Sequence, residues 1–221
     1  MVEDNKYQLY QPATPFYGLE SWTDFTIIEP YYIDVVFRCK PTRATFKKGY
    51  IGLFWANYIN APENKAMYFY GRYPQRDGAK WIAFTTHYHG HNSTVVHVDD
   101  MPDLPFIATE NKNWLFTNYS VLRYIEPFYF GLFKDMVLIY MFDRTQGIRF
   151  THSPQGGGTY RFHDYENPAW DFQYIIPNPQ INDIYSFRCR FAYKKYAGRE
   201  DVMQEYRKWQ ECLESKKESR Q

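Results

Sequence analysis

Residues 87–100 read HYHGHNSTVVHVDD and hold four of the chain's six histidines, followed by two aspartates. Side chains alternate between the faces of an extended strand, which puts His87, His89 and His91 on one side with Ser93, Val95, His97 and Asp99. Neighbours two apart sit ~7 Å apart along a strand, so His87 and His89, or His89 and His91, could share one transition-metal ion through imidazole nitrogens at about 2.0–2.2 Å, while all three could not without a bend. A third ligand would have to come from elsewhere, with His152, His163, Glu126 and Asp99 as candidates. Read more simply, the run is the polar, solvated face of a strand, with Gly90 able to place its end in a turn.

A second group of reactive types lies in GIRFTHSPQGGGTYRFHDYENPAWDFQ, residues 147–173. Gly156, Gly157 and Gly158 do not form a phosphate cradle, because no Lys-Ser/Thr pair follows them and no strand-to-helix step is evident. They read as a loop between strands. Around it stand Arg149, His152, Trp170 and Asp171, a set suited to sugars: an indole face stacks on pyranose C–H groups, while guanidinium and carboxylate groups bond hydroxyls. In GLFWANYIN, residues 52–60, Asn57 and Asn60 interrupt otherwise apolar strand faces. Asn57 is expected to pair with backbone, and Asn60 to point into a polar cleft as a substrate-binding residue.

These groups need a scaffold, and the composition says which. Tyr 22, Phe 18 and Trp 6 make an aromatic fraction of 21%, and such residues favour the half-buried surface of strands. Strand-like runs cover Phe25 to Ile28, Tyr31 to Cys39, Tyr50 to Ile59, Ala66 to Tyr70, Trp81 to Thr86 and Trp114 to Tyr119. They continue over Phe128 to Phe130, Met136 to Phe142, Ile148 to Thr151, Phe172 to Ile176 and Ile184 to Tyr193. Turn clusters such as Ala61-Pro62-Glu63-Asn64-Lys65 and Pro177-Asn178-Pro179 separate them, as an antiparallel sandwich requires. Only the end is helical: after Gly198, the residues Val202, Tyr206, Trp209 and Leu213 recur at helical spacing. The expectation is therefore all-β: one large antiparallel β-sandwich domain over 1–198, then a C-terminal α-helix and charged tail over 199–221. Ile28-Glu29-Pro30-Tyr31-Tyr32 echoes Ile125-Glu126-Pro127-Phe128-Tyr129, but the flanks do not align as a duplication would.

Charge and cysteine usage narrow the partners. Lys+Arg 26 against Asp+Glu 25 gives +1, which lacks the basic surplus expected of a nucleic-acid binder. No run of about 18 apolar residues suggests a membrane partner, and MVEDNKYQLY lacks a signal-peptide pattern. Three widely spaced cysteines form neither a disulfide framework nor a CxxC site, so a cytoplasmic protein is expected.

GLFWANYIN, EPFYFG (126–131), IRFTHSPQGGG (148–158) and NPAWDFQ (167–173) together resemble a group of bacterial proteins with the galactose-mutarotase-like β-supersandwich. The resemblance spans most of residues 15–195. It implies a supersandwich fold, a carbohydrate ligand and, in the mutarotases proper, acid/base ring opening of an aldose by a histidine and a glutamate, without metal or organic cofactor. The mutarotase signature, Asn-His followed closely by Tyr-Phe-Asn, has no counterpart here. Ring opening needs a donor to the ring oxygen and an acceptor for the anomeric proton, roles that His152 and Glu126 would fill. Arg149 and Asp171 would then orient hydroxyls and Trp170 would stack under the ring. The alternatives are a metal-dependent enzyme centred on His87 and His89, and a noncatalytic module that binds a protein or polysaccharide through exposed aromatics.

Overall fold

A computed structural model describes residues 5–74, 78–87, 90–100, 116, 118–154 and 167–218. Twelve strands form one curled sheet. They are β1 (Lys6–Gln11), β2 (Leu19–Ile28), β3 (Tyr32–Pro41), β4 (Tyr50–Trp55), β5 (Met67–Arg72), β6 (Lys80–Phe84), β7 (Thr94–His97), β8 (Tyr119–Phe133), β9 (Met136–Phe142), β10 (Ile148–Ser153), β11 (Ala169–Pro177) and β12 (Tyr185–Lys195). Among the described residues a single helix, α1 (Arg199–Glu218), follows. The main path runs β1-β2-β3-β12-β9-β8-β7-β10-β11-β4, with β5 on β8 and β6 on β5. The all-β expectation with a C-terminal helix is met. Among the described residues no helix is long and apolar enough to cross a membrane.

The curl follows from β8. Tyr124 pairs with both Gly71 of β5 and His97 of β7, while Tyr129 pairs with both Phe69 of β5 and Tyr140 of β9. A strand has two edges, so β5 runs along one and β7 and β9 share the other. Ile125, Glu126 and Pro127 lie between those two partners, and Pro127 has no N–H to donate to a ladder. The N-terminal half of β8 therefore belongs to a leaf with β7, β10, β11 and β4, and its C-terminal half to a leaf with β9, β12, β3, β2 and β1.

The two leaves face each other across aromatic rings. Phe37 meets Trp55 at 4.9 Å between centroids, Phe142 meets Phe172 at 4.9 Å, and Trp55 meets Phe187 at 5.1 Å. This is a sandwich core, as the aromatic content predicts. One ladder departs from the antiparallel expectation: β7 and β8 are parallel. Residues 98–118 separate them, longer than the dozen or so a parallel connection needs.

The outer face of the β8–β9–β12 leaf carries the helix. Val137, Ile139 and Met141 of β9, with Phe128 and Phe130 of β8, pack against Val202, Tyr206, Trp209 and Leu213. The alternate β9 residues face the sandwich core, so MVLIYMF is apolar throughout because both its faces are covered. One buried carboxylate ties α1 down. Glu205 accepts from Tyr32 Oη at 2.5 Å and from Lys194 Nζ at 2.8 Å. Burial pushes this carboxyl up, but Lys194 and Tyr32 together hold it below the usual range.

The echoed Glu-Pro motifs serve unrelated places: Glu29-Pro30 is the β2–β3 turn, whereas Glu126-Pro127 is interior to β8. Strand β1, at the end of the sheet, lay outside the sequence expectations. All six of its residues are exposed.

Two substitutions test this packing. A Cβ at Gly131 would sit 2.2 Å from the Trp170 ring, so Gly131→Ala should cost about 3 kcal/mol in urea denaturation through overpacking. Glu205→Ala strands part of the Lys194 charge and should also cost roughly 3 kcal/mol, the low end for a broken buried pair, because Asp201 still accepts from Lys194 at 3.0 Å. An unchanged midpoint in either variant contradicts the corresponding contact.

Candidate functional site

The β10–β11 ladder decides which candidate residues can meet. Opposite residues of an antiparallel pair share a face. Phe150 opposes Phe172 and His152 opposes Trp170, all toward the sandwich core, while Arg149 opposes Gln173 and Thr151 opposes Asp171 on the outer face. The four residues read together as a sugar site are thus split two and two across the sheet.

The inward pair is part of the scaffold. His152 is 1% exposed. Its Nδ1 accepts the backbone N–H of Thr86 at 3.2 Å, which leaves Nε2 protonated to donate to the Lys65 carbonyl at 2.9 Å. Burial lowers its pKa, opposed in part by the Lys65 contact, so the ring is neutral in the folded protein. Trp170 is fully buried over Gly131 and donates its indole N–H to the same Lys65 carbonyl at 3.0 Å. Glu126 lies on the other side of the β8 ladder, beside the Tyr206 hydroxyl of α1. The structure does not bring His152 and Glu126 together.

The outward pair is buried too, at the back of something larger. Arg149, 3% exposed, donates through Nη1 to the Phe116 carbonyl at 3.1 Å and to Tyr119 Oη at 2.8 Å. Its Nε stands 3.9 Å from Asp100 Oδ2. Burial raises the Asp100 carboxyl, and the Arg149 charge only partly offsets this. Asp171 Oδ1 accepts the backbone N–H of Asn57 at 2.6 Å. Burial pushes Asp171 up to about 7, again only partly countered by that hydrogen bond. Asn57 pairs with backbone as expected, donating to the carbonyls of Trp55 and Trp170 at 3.2 Å each. Asn60 is exposed, beyond the end of β4.

The histidine run is not one strand. Gly90 and Asn92 take left-handed conformations (φ 72° and 50°), so the chain bends before β7 begins at Thr94. His87 and His91 are exposed in bends. His97 lies on β7 against Tyr124, and His89 and His163 fall outside the described residues. Among the described residues, no three His, Cys, Asp or Glu side chains gather as a metal site requires.

What sequence reasoning missed is a cleft of about 1110 Å³ where the sheet fails to close, between β2 and β4. Its walls are aromatic: Phe16 and Tyr17 from the β1–β2 loop, Phe46 from the β3–β4 loop, Tyr50 and Trp55 from β4, and Phe116. Ser21, Thr23, Thr45 and Gln11 add hydroxyl and amide groups. The rim is fixed by backbone bonds. Arg43 Nη2 donates to the Thr14 and Pro15 carbonyls, Thr42 Oγ1 to Gly18 O at 2.8 Å, and Thr45 Oγ1 to Tyr17 O. Gly18 needs its positive φ of 63°, and a Cβ there would meet Arg43 Nε at 2.8 Å. The available signal was PFYG, two large aromatics in a Pro/Gly turn with no alternation to bury them.

Arg149 and Asp171 act on this cleft from behind. Phe116, held by Arg149 through its carbonyl, lays its ring over Gly52, where a Cβ would approach it to 2.8 Å. Asp171 pins the turn that follows β4. Neither touches the cleft itself. No protein-family model matches the chain, and no curated protein matches it.

Asp171 carries a pH signature. Its ionised form is disfavoured in the folded state, so stability is fully present below the unfolded value of about 3.9 and falls as pH rises toward the folded value of about 7. Asp171→Asn keeps an acceptor for Asn57 N–H and removes the titration. Denaturation across this window should find the variant gaining roughly 2–4 kcal/mol on the wild type between its ends; parallel pH profiles would contradict the assignment.

Proposed function

We propose that the protein binds a carbohydrate, specifically an oligosaccharide, in the cleft between β2 and β4. The observation that carries this reading is the wall chemistry: large aromatic faces interleaved with hydroxyl and amide groups in an open cleft of about 1110 Å³. Aromatic faces stack on the C–H faces of sugar rings, and side chains that both donate and accept suit hydroxyls. The volume lies just above the ~300–1,000 Å³ range of ordinary small-molecule sites, which favours more than one ring. The rim is already tied to backbone carbonyls, so little ordering cost falls on binding.

The reading is one of binding. His152 commits both ring nitrogens to Thr86 and Lys65, and Glu126 lies beside α1, so the acid/base pair drawn from the mutarotase resemblance is not part of the proposal.

Phe16 is 78% exposed at the mouth of the cleft, so Phe16→Ala tests binding with little effect on the fold. Calorimetric titration against an oligosaccharide panel should identify a ligand that also raises Tm, since it binds the folded state. Phe16→Ala should weaken that ligand about 2- to 10-fold at unchanged Tm of the free protein. Equal affinity in Phe16→Ala and Tyr17→Ala would remove the cleft from the reading.

A further inference from the structure

We infer that the oligosaccharide is acidic, its carboxylates meeting Lys47 and Lys48 at the cleft, an inference that rests on the carbohydrate reading above. The chain as a whole is nearly balanced at +1, but the described lining of this cleft is not. Lys47 and Lys48 are the charged side chains that line it, and no Asp or Glu does so among the described residues. The Arg43 guanidinium adds a third positive charge just behind the rim, with hydrogen bonds to the Thr14 and Pro15 carbonyls that leave the charge uncompensated by any carboxylate in those contacts.

The arrangement of β2 removes the acids. Leu19, Ser21 and Thr23 point into the cleft, so Glu20 and Asp24 must lie on the opposite face. There each is engaged: Glu20 with Lys40 at 2.7 Å and Asp24 with Arg38 at 2.5 Å. A one-residue slip of β2 would bring both carboxylates into the cleft, so its register keeps these two from repelling an anion there. Like-signed charge on a concave wall also concentrates oppositely charged ligands before contact. A neutral sugar would use the aromatic walls and gain nothing from this field.

The test titrates the full chain with an oligomer of galacturonic acid and with the same oligomer after its carboxyl groups are reduced to alcohols. The acid should bind about three- to tenfold tighter, and this ratio should fall toward one in the Lys47→Gln/Lys48→Gln variant and at about 0.5 M salt. Thermal melting verifies that the variant is folded. Equal affinity for acid and neutral oligomers overturns the inference and leaves the carbohydrate reading standing. Binding of neither overturns both. A preference for the acid that survives in the folded double variant places the anion elsewhere and also overturns it.

Discussion

Strand β8 carries an unusual obligation. One continuous segment, Tyr119–Phe133, pairs with β5 along one edge and divides its other edge between β7 and β9. Each half must satisfy a different leaf, and a strand serving both forces them to turn toward each other. The aromatic core fills the space so enclosed, with Tyr129 stacked on Tyr140 at 4.5 Å and set edge-on to Phe150 of the opposing leaf at 4.9 Å. Gly131 lets Trp170 close the same contact, because any side chain there would occupy the indole's place. Once the leaves face each other through β8, the far ends of the sheet come near without pairing, and the cleft is the gap between them.

Much of this was legible in the chain. Helix α1 was readable from Val202, Tyr206, Trp209 and Leu213, all of which are buried, because apolar residues at steps of four, three and four line one face of a helix and would scatter over both faces of a strand. Strands such as Met136–Phe142 were readable from unbroken aromatic and branched content. The supersandwich family resemblance adds a proposal that the architecture neither needs nor tests. What escaped was anything that depends on partners. Lys6–Gln11 is short and exposed throughout, and its apolar residues, Tyr7, Leu9 and Tyr10, mark no buried face. The parallel pairing of β7 with β8 is a property of residues far apart in sequence, and no local pattern encodes it.

The grouping of Arg149, His152, Trp170 and Asp171 is instructive because the sequence held the information to undo it. Residues three apart on a strand face opposite ways, as do adjacent ones, so no regular β10–β11 pair could gather all four on one face. Composition suggested a site, while alternation had already separated its members. The cleft residues posed the opposite difficulty. They come from the end of β1, β2, Phe37 of β3, two loops, β4 and Phe116, and share no spacing that would single them out. Buried polar groups supplied the connection: Arg149 and Asp171 fix Phe116 and the turn after β4, which together shape one wall.

That wall and its opposite differ in how they are held. Strand β4 is zipped to β11, eight of whose nine residues are buried, so the side bearing Tyr50 and Trp55 opens only when the core itself opens. The rim bearing Phe16 and Tyr17 joins β2 to β1, which ends the sheet among the described residues and has all six residues exposed, so this rim is held by the bonds from Thr42, Arg43 and Thr45 to its carbonyls. The cleft therefore joins a jaw held by a buried ladder to one held by side-chain bonds to a loop, and the second is the jaw that single substitutions at Thr42, Arg43 or Thr45 would loosen.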